Sequence, residues 1–177
     1  MLNLLSQYSQ SRVSWFLLLF ATLAFEATAL YFQHGLGLAP CTLCIYQRMC
    51  LLGILLASVI GLLAPKRLIF RVIALLIWLY SAFTGFNLAF QQARLQFAPS
   101  LSDSCTLNVD LPTWLPLNEW MPSIFNATGS CAEKAWAFLT IEMSQWMIII
   151  FSCYLAVGII ILFAQCFAPT KRTTWRN

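Results

Sequence analysis

Residues 146–167 read WMIIIFSCYLAVGIIILFAQCF, with no charged side chain from Trp146 to Phe167. A helix needs roughly 20 mostly apolar residues to cross the hydrocarbon core of a bilayer, and this run supplies them. Three other stretches have the same character, from about Trp15 to Phe32, from about Cys44 to Ala64 and from about Ile69 to Phe90. No water reaches the bilayer core to satisfy backbone N–H and C=O groups, so each stretch must be a helix. The composition agrees. Of 177 residues, 60% are hydrophobic and only 9% charged, against about a quarter charged in a soluble domain. A water-facing globule and a disordered chain are both excluded. The net charge of +4 comes from cations scattered along an apolar chain, which builds no basic groove for nucleic acid. The expected architecture is an all-α membrane protein, a bundle of four transmembrane helices forming a single domain over residues 1–177.

The first span imitates a secretory signal: Arg12, an apolar run, then Ala27-Thr28-Ala29 as an A-x-A site. Glu26 interrupts the approach to that site and the run continues through Leu30, Tyr31 and Phe32, so it reads as a retained span. Trp15, Tyr31, Tyr46 and Trp146 fall near span ends, where amphipathic rings favour the headgroup region. Arg12, Lys66, Arg67, Arg71, Lys171, Arg172 and Arg176 all fall on one side of the four spans. The positive-inside rule makes that side the cytoplasm and puts both termini there. The other side holds a short loop, about 33–43, and a long one, about 91–145, which is mildly acidic. Pro99, Pro112, Pro116 and Pro122 forbid one continuous helix in the long loop. Trp114, Leu117, Trp120 and Met121 recur at helical spacing, as in a short helix on the membrane surface or a segment packed onto the helix ends.

Sorting the seven cysteines by this topology is informative. Cys50, Cys153 and Cys166 fall within spans and read as small hydrophobes. Cys41 and Cys44 lie at the outer mouth of the second span; Cys105 and Cys131 lie in the long outer loop. Pro40 suits the start of a helix, and residues three apart share a helical face, which brings Cys41 and Cys44 within disulfide reach. A helix N-terminus and a nearby cation favour the thiolate form of a cysteine, and Arg48 sits one turn beyond Cys44. Ser130-Cys131-Ala132-Glu133 fits a capping box that starts a short helix. Outer-loop cysteines most often form a stapling disulfide, but beside a C-x-x-C at the same face a relay between two disulfides is the fuller account. Zinc is disfavoured because only one pair has the close spacing of a structural site.

The stretch Pro40-Cys41-x-x-Cys44-Ile45-Tyr46-x-Arg48 resembles the core of the disulfide bond formation protein B (DsbB) family. So do Ile77-Trp78-Leu79-Tyr80-Ser81-Ala82-Phe83, Trp114-Leu115-Pro116-Leu117 with Trp120, and Gly129-x-Cys131-Ala132-Glu133. The resemblance implies a bacterial inner-membrane enzyme, a quinone-dependent protein-disulfide oxidoreductase with its active cysteines on the periplasmic side. Its partner would be the periplasmic thioredoxin-fold oxidase DsbA, which it reoxidises, and its cofactor a membrane quinone, ubiquinone or menaquinone. By position, Cys105–Cys131 would be the disulfide attacked by reduced DsbA, with Cys105 forming the mixed disulfide. Electrons would pass on to Cys41–Cys44. Cys44 would face the quinone ring, with Arg48 stabilising the Cys44 thiolate and the developing quinone anion. The family carries a histidine near the outer end of span three, where this chain has Gln91-Gln92. Gln92 can hydrogen-bond a quinone oxygen but cannot supply a proton near neutral pH. His34, the single histidine, reads as a solvated loop residue. Glu26, an acid at membrane depth, calls for a partner; Arg48 lies at a compatible depth, and a protonated, hydrogen-bonded Glu26 is the alternative. The rival functions are a quinone-linked oxidoreductase like vitamin K epoxide reductase, and a non-enzymatic scaffold stapled by inert disulfides.

Overall fold

The computed structural model describes residues 10–97, 124, 127, 129–131, 137–138 and 140–167. Four long helices carry the fold: α1 (Arg12–Leu30), α2 (Thr42–Leu63), α3 (Leu68–Phe97) and α4 (Met143–Phe167). All four are long and apolar enough to span a membrane. Ser11 caps α1, its hydroxyl accepting from the N–H of Val13 at 3.2 Å. A short turn through Pro65 joins α2 to α3, with the N–H of Arg67 donating to the carbonyl of Ala64. The chain therefore runs up and down, and Arg12 shares one end of the bundle with Lys66, Arg67 and Arg71. The C-x-x-C stands at the opposite end, on the first turn of α2.

Helices in lipid gain little from hiding apolar side chains from one another and associate through close packing and interhelical hydrogen bonds. The interior shows both. Phe151, Ile54, Leu75, Ala57, Ala74, Ala82 and Ala89 are fully buried. A Cβ at Gly85 would strike the Phe151 ring, and one at Gly61 would strike Trp15. Thr22 and Tyr154 share a 3.1 Å hydrogen bond that closes α1 onto α4. The outward faces carry Phe16, Leu17, Phe20, Tyr80, Phe83 and Phe163 in the open, the belt that lipid covers.

Four features depart from the sequence reading. Trp15 is not an interfacial anchor; it is buried edge-on against Trp78, ring centroids 6.2 Å apart, because Gly61 leaves room for its indole. Helix α3 runs past Phe90 to Phe97, so Gln91 and Gln92 are helical, since Ala, Arg, Leu and Gln beyond them are all good helix formers. The first span ends in a π-helical turn, Tyr31–Gly35. The outer segment before α4 contains a small antiparallel hairpin, β1 (Ala137–Phe138) with β2 (Ile141–Glu142), where only short helices were expected. The surface segment around Trp114 to Met121, Ala132 and Glu133 of the capping box and the basic tail lie outside the described residues.

Replacing Gly85 by Ala should cost about 1–3 kcal/mol through overpacking against Phe151. A lowered thermal midpoint of the detergent-solubilised protein would register it.

Candidate active site

Cys41 is the N-cap of α2, with extended backbone at φ −83° and ψ 164°. Its sulfur accepts from the N–H of Cys44 at 3.2 Å, and its carbonyl takes the N–H of Ile45 at 3.1 Å. The first contact satisfies one of the helix's orphan donors, and the second is the first regular bond of the helix. This first turn sets the two α-carbons 5.1 Å apart, and Cys41 and Cys44 are joined as a disulfide. Cys41 is buried and Cys44 half-buried.

The disulfide forms part of the wall of a cavity of about 370 Å³ between the outer ends of the helices. Phe25, Ala29 and Phe32 line it from the first span, Leu51 from α2, and Met143, Trp146, Met147 and Ile150 from α4. The polar side chains that line it are few: Thr28, Gln33, Gln47, Arg48, Gln92, Gln96, Ser130 and Glu142. The widened turn at Tyr31–Gly35 brings both Phe32 and Gln33 to this cavity; such π-turns occur often at functional sites. At the start of α4 the side chain of Gln145 accepts from the N–H of Glu142 at 3.1 Å, one half of a capping box. It fixes the end of the helix that supplies Trp146.

Arg48 is buried, 7% exposed, with three neighbouring acceptors. One terminal nitrogen donates to Gln33 Oε1 at 2.8 Å and to the carbonyl of Ile124 at 3.2 Å. Its Nε lies 3.7 Å from Glu26 Oε2, which realises the partnership with Arg48 that the sequence left open. The other carboxyl oxygen, Oε1, is buried with no hydrogen-bond partner among the described residues. A buried charge is tolerated only beside a compensating one, so Glu26 and Arg48 hold each other at this depth.

Gln92, buried on α3, donates through Nε2 to Cys41 Sγ at 3.5 Å and to Cys44 Sγ at 3.4 Å. Its Oε1 accepts from Gln47 Nε2 at 2.7 Å. Gln92 also lines the cavity, so its amide reaches the disulfide and the cavity from the same position. Gln47 was missed in the sequence, although an amide three residues after Cys44 at membrane depth was a usable signal. The Ile124 carbonyl could not have been found, since nothing local ties it to Arg48.

The second cysteine pair is half visible. Cys131 is fully buried and disulfide-bonded; Cys105 lies outside the described residues. Cys131 packs in one cluster with Cys41, Leu43 and Leu95, with Cys44 against it. The cause is a short parallel bridge between Cys41 and Gly129, with the N–H of Gly129 donating to the Pro40 carbonyl at 3.1 Å. Only glycine allows this approach, because a Cβ at 129 would meet the Ala39 carbonyl oxygen. Cys50 and Cys153 are free thiols away from the cluster, Cys153 on the lipid-facing surface. His34 is exposed.

Comparison with known proteins accords with this geometry. The family model described as Disulfide bond formation protein DsbB matches residues 11–161. Curated proteins called Disulfide bond formation protein B align over 172 residues, 97% of either chain. Those of Escherichia coli (strain K12), Sodalis glossinidius and Salmonella typhimurium are 48%, 47% and 46% identical to this one.

The Gly129 bridge makes a direct prediction. Gly129→Val should push the segment off Ala39 and expose Cys131, so that after reduction its native-state alkylation accelerates about tenfold or more, tracking the population of the opened segment. Alkylation of Cys50 in the same sample should stay unchanged.

Proposed function

This chain belongs to the DsbB family, and from that premise we propose that it reoxidises a periplasmic DsbA-like dithiol oxidase and delivers the electrons to a membrane quinone. It is a multi-pass membrane protein and a disulfide oxidoreductase. One observation carries the finer reading: a disulfide in the wall of a largely apolar cavity, beside a buried arginine, with a second disulfide-bonded cysteine packed against it.

The cavity fits a quinone headgroup. Its volume falls in the range of small-molecule sites, and its lining follows their pattern of apolar walls with a few convergent polar groups. Phe32, Trp146 and Met147 would hold the ring, and Gln33 or Arg48 would meet an oxygen. A quinone bound there supplies a two-electron, two-proton acceptor dissolved in the lipid.

The protein's own part is thiol–disulfide exchange. A thiolate of the reduced partner attacks the Cys105–Cys131 disulfide at Cys105, and the S–S bond breaks to leave Cys131 as thiolate. The partner's second thiol resolves the mixed disulfide and leaves oxidised. The freed Cys131 sulfur lies in the cluster with Cys41, so the two electrons pass by a second exchange that opens Cys41–Cys44 and re-forms Cys105–Cys131. Arg48 then places a cation beside the Cys44 sulfur as negative charge gathers there. Two couples are needed because one partner travels in water and the other in lipid. In this reading the cysteine end faces the periplasm of a bacterial inner membrane and the basic end faces the cytoplasm. Ubiquinone is the expected acceptor and menaquinone the second.

The test is anaerobic rapid mixing of the purified protein with reduced DsbA and ubiquinone, read at the quinone absorbance and by thiol trapping. The wild type should turn over, and Cys41→Ser, Cys44→Ser, Cys105→Ser and Cys131→Ser should each abolish it. Absence of quinone-dependent turnover would leave the stapled-scaffold reading. Arg48→Met should slow the quinone half-reaction about a hundredfold, the scale of losing one electrostatic stabiliser, while exchange with DsbA persists. Equal loss of both half-reactions would contradict the role given to Arg48.

A further inference from the structure

Two buried amides behind the disulfide have no part in the reaction as described above. Gln47 is 2% and Gln92 5% exposed, and they belong to different helices. A disulfide sulfur carries no hydrogen and can only accept, so the Gln92 group facing Cys41 and Cys44 must be its NH₂. Its carbonyl oxygen then points the other way, to Gln47, which must present a donor. The 2.7 Å contact from Gln47 Nε2 meets that demand. An amide can flip by half a turn at little steric cost, and the flipped Gln92 would aim its oxygen lone pairs at the sulfurs. What distinguishes the two orientations is the donor at position 47.

We propose that Gln47 is a positioning residue for the redox couple: by donating to Gln92 Oε1 it locks the Gln92 amide with its NH₂ facing the Cys41–Cys44 sulfurs. Disulfide sulfurs accept hydrogen bonds weakly. When two electrons enter the bond and it breaks, one sulfur holds a negative charge and the other takes a proton, and the waiting Gln92 N–H then bonds to charged sulfur. Hydrogen bonds to an ionised partner are about twice as strong as neutral ones. The lock therefore favours the reduced couple and makes Cys41–Cys44 a better electron acceptor from the neighbouring Cys131. It also gives the site, in place of a titratable side chain, a donor whose strength is independent of pH.

This inference rests on Cys41–Cys44 being a working redox couple, and it is tested without the quinone or the partner protein. The full-length protein is equilibrated with glutathione buffers, and differential alkylation with mass spectrometry reads the 41–44 couple separately. Gln92→Leu should shift the equilibrium toward the disulfide about tenfold, roughly 30 mV for a two-electron couple. Gln47→Leu should shift it the same way by a smaller factor, about threefold, because the amide is freed but not removed. The double variant should match Gln92→Leu alone, the non-additivity expected of residues acting through one another. Gln47→Met provides the same loss of donor should Gln47→Leu fail to fold. A Gln47 variant that folds and leaves the equilibrium unmoved overturns the proposal, as does an effect that simply adds to that of Gln92→Leu. Failure of the quinone reaction with these shifts intact would instead count against the function proposed above.

Discussion

The first turn of α2 is the constraint from which the rest follows. Cys41 has to serve as helix cap and disulfide partner at once, and the C-x-x-C spacing lets it do both. With the couple fixed to a helix end, its surroundings become rigid: α3 covers it with Gln92, the first span brings Glu26 and Gln33 to Arg48, and the Gly129 bridge lays Cys131 alongside. A C-x-x-C on a loop would have none of these neighbours at fixed distance. Exchange between sulfurs depends on such distances, so in the proposed relay this rigidity would serve function as well as stability.

The Glu26–Arg48 pair illustrates how the site tolerates a charge at membrane depth. Arg48 is useful beside sulfur only if it stays ionised, and a lone guanidinium in so apolar a cavity would be expensive. Three acceptors hold it: the Glu26 carboxylate, the Gln33 amide oxygen and the Ile124 carbonyl. Two of them come from the first span and its π-turn. That span packs mainly on α2 and shows much of its surface to lipid, and its polar contribution to the site comes from its outer end.

The four helices were legible because lipid demands long apolar runs. The C-x-x-C and Arg48 were legible because three- and four-residue spacings share a helix face. What escaped was whatever depends on contact between distant segments. Trp15 looked like an interfacial anchor until Gly61 on another helix made room for it. Gln92 looked like a loop residue until α3 ran on to Phe97. Gln47 carried no meaning alone, since its function exists only opposite Gln92. The π-turn at Tyr31 and the bridge from Gly129 to Cys41 leave no periodic trace in sequence. In each case the deciding partner is remote along the chain.

The most direct test of the account asks where the lipid-borne acceptor sits relative to the sulfur couple. Proteoliposomes containing the protein would be photolabelled with an azido-quinone and the adducts mapped by mass spectrometry. Label on peptides carrying Phe32 and Met143 to Met147, displaced by excess unmodified quinone, is the predicted result. Adducts confined to the basic end around Lys66 and Arg67, or labelling that unmodified quinone does not displace, would contradict it.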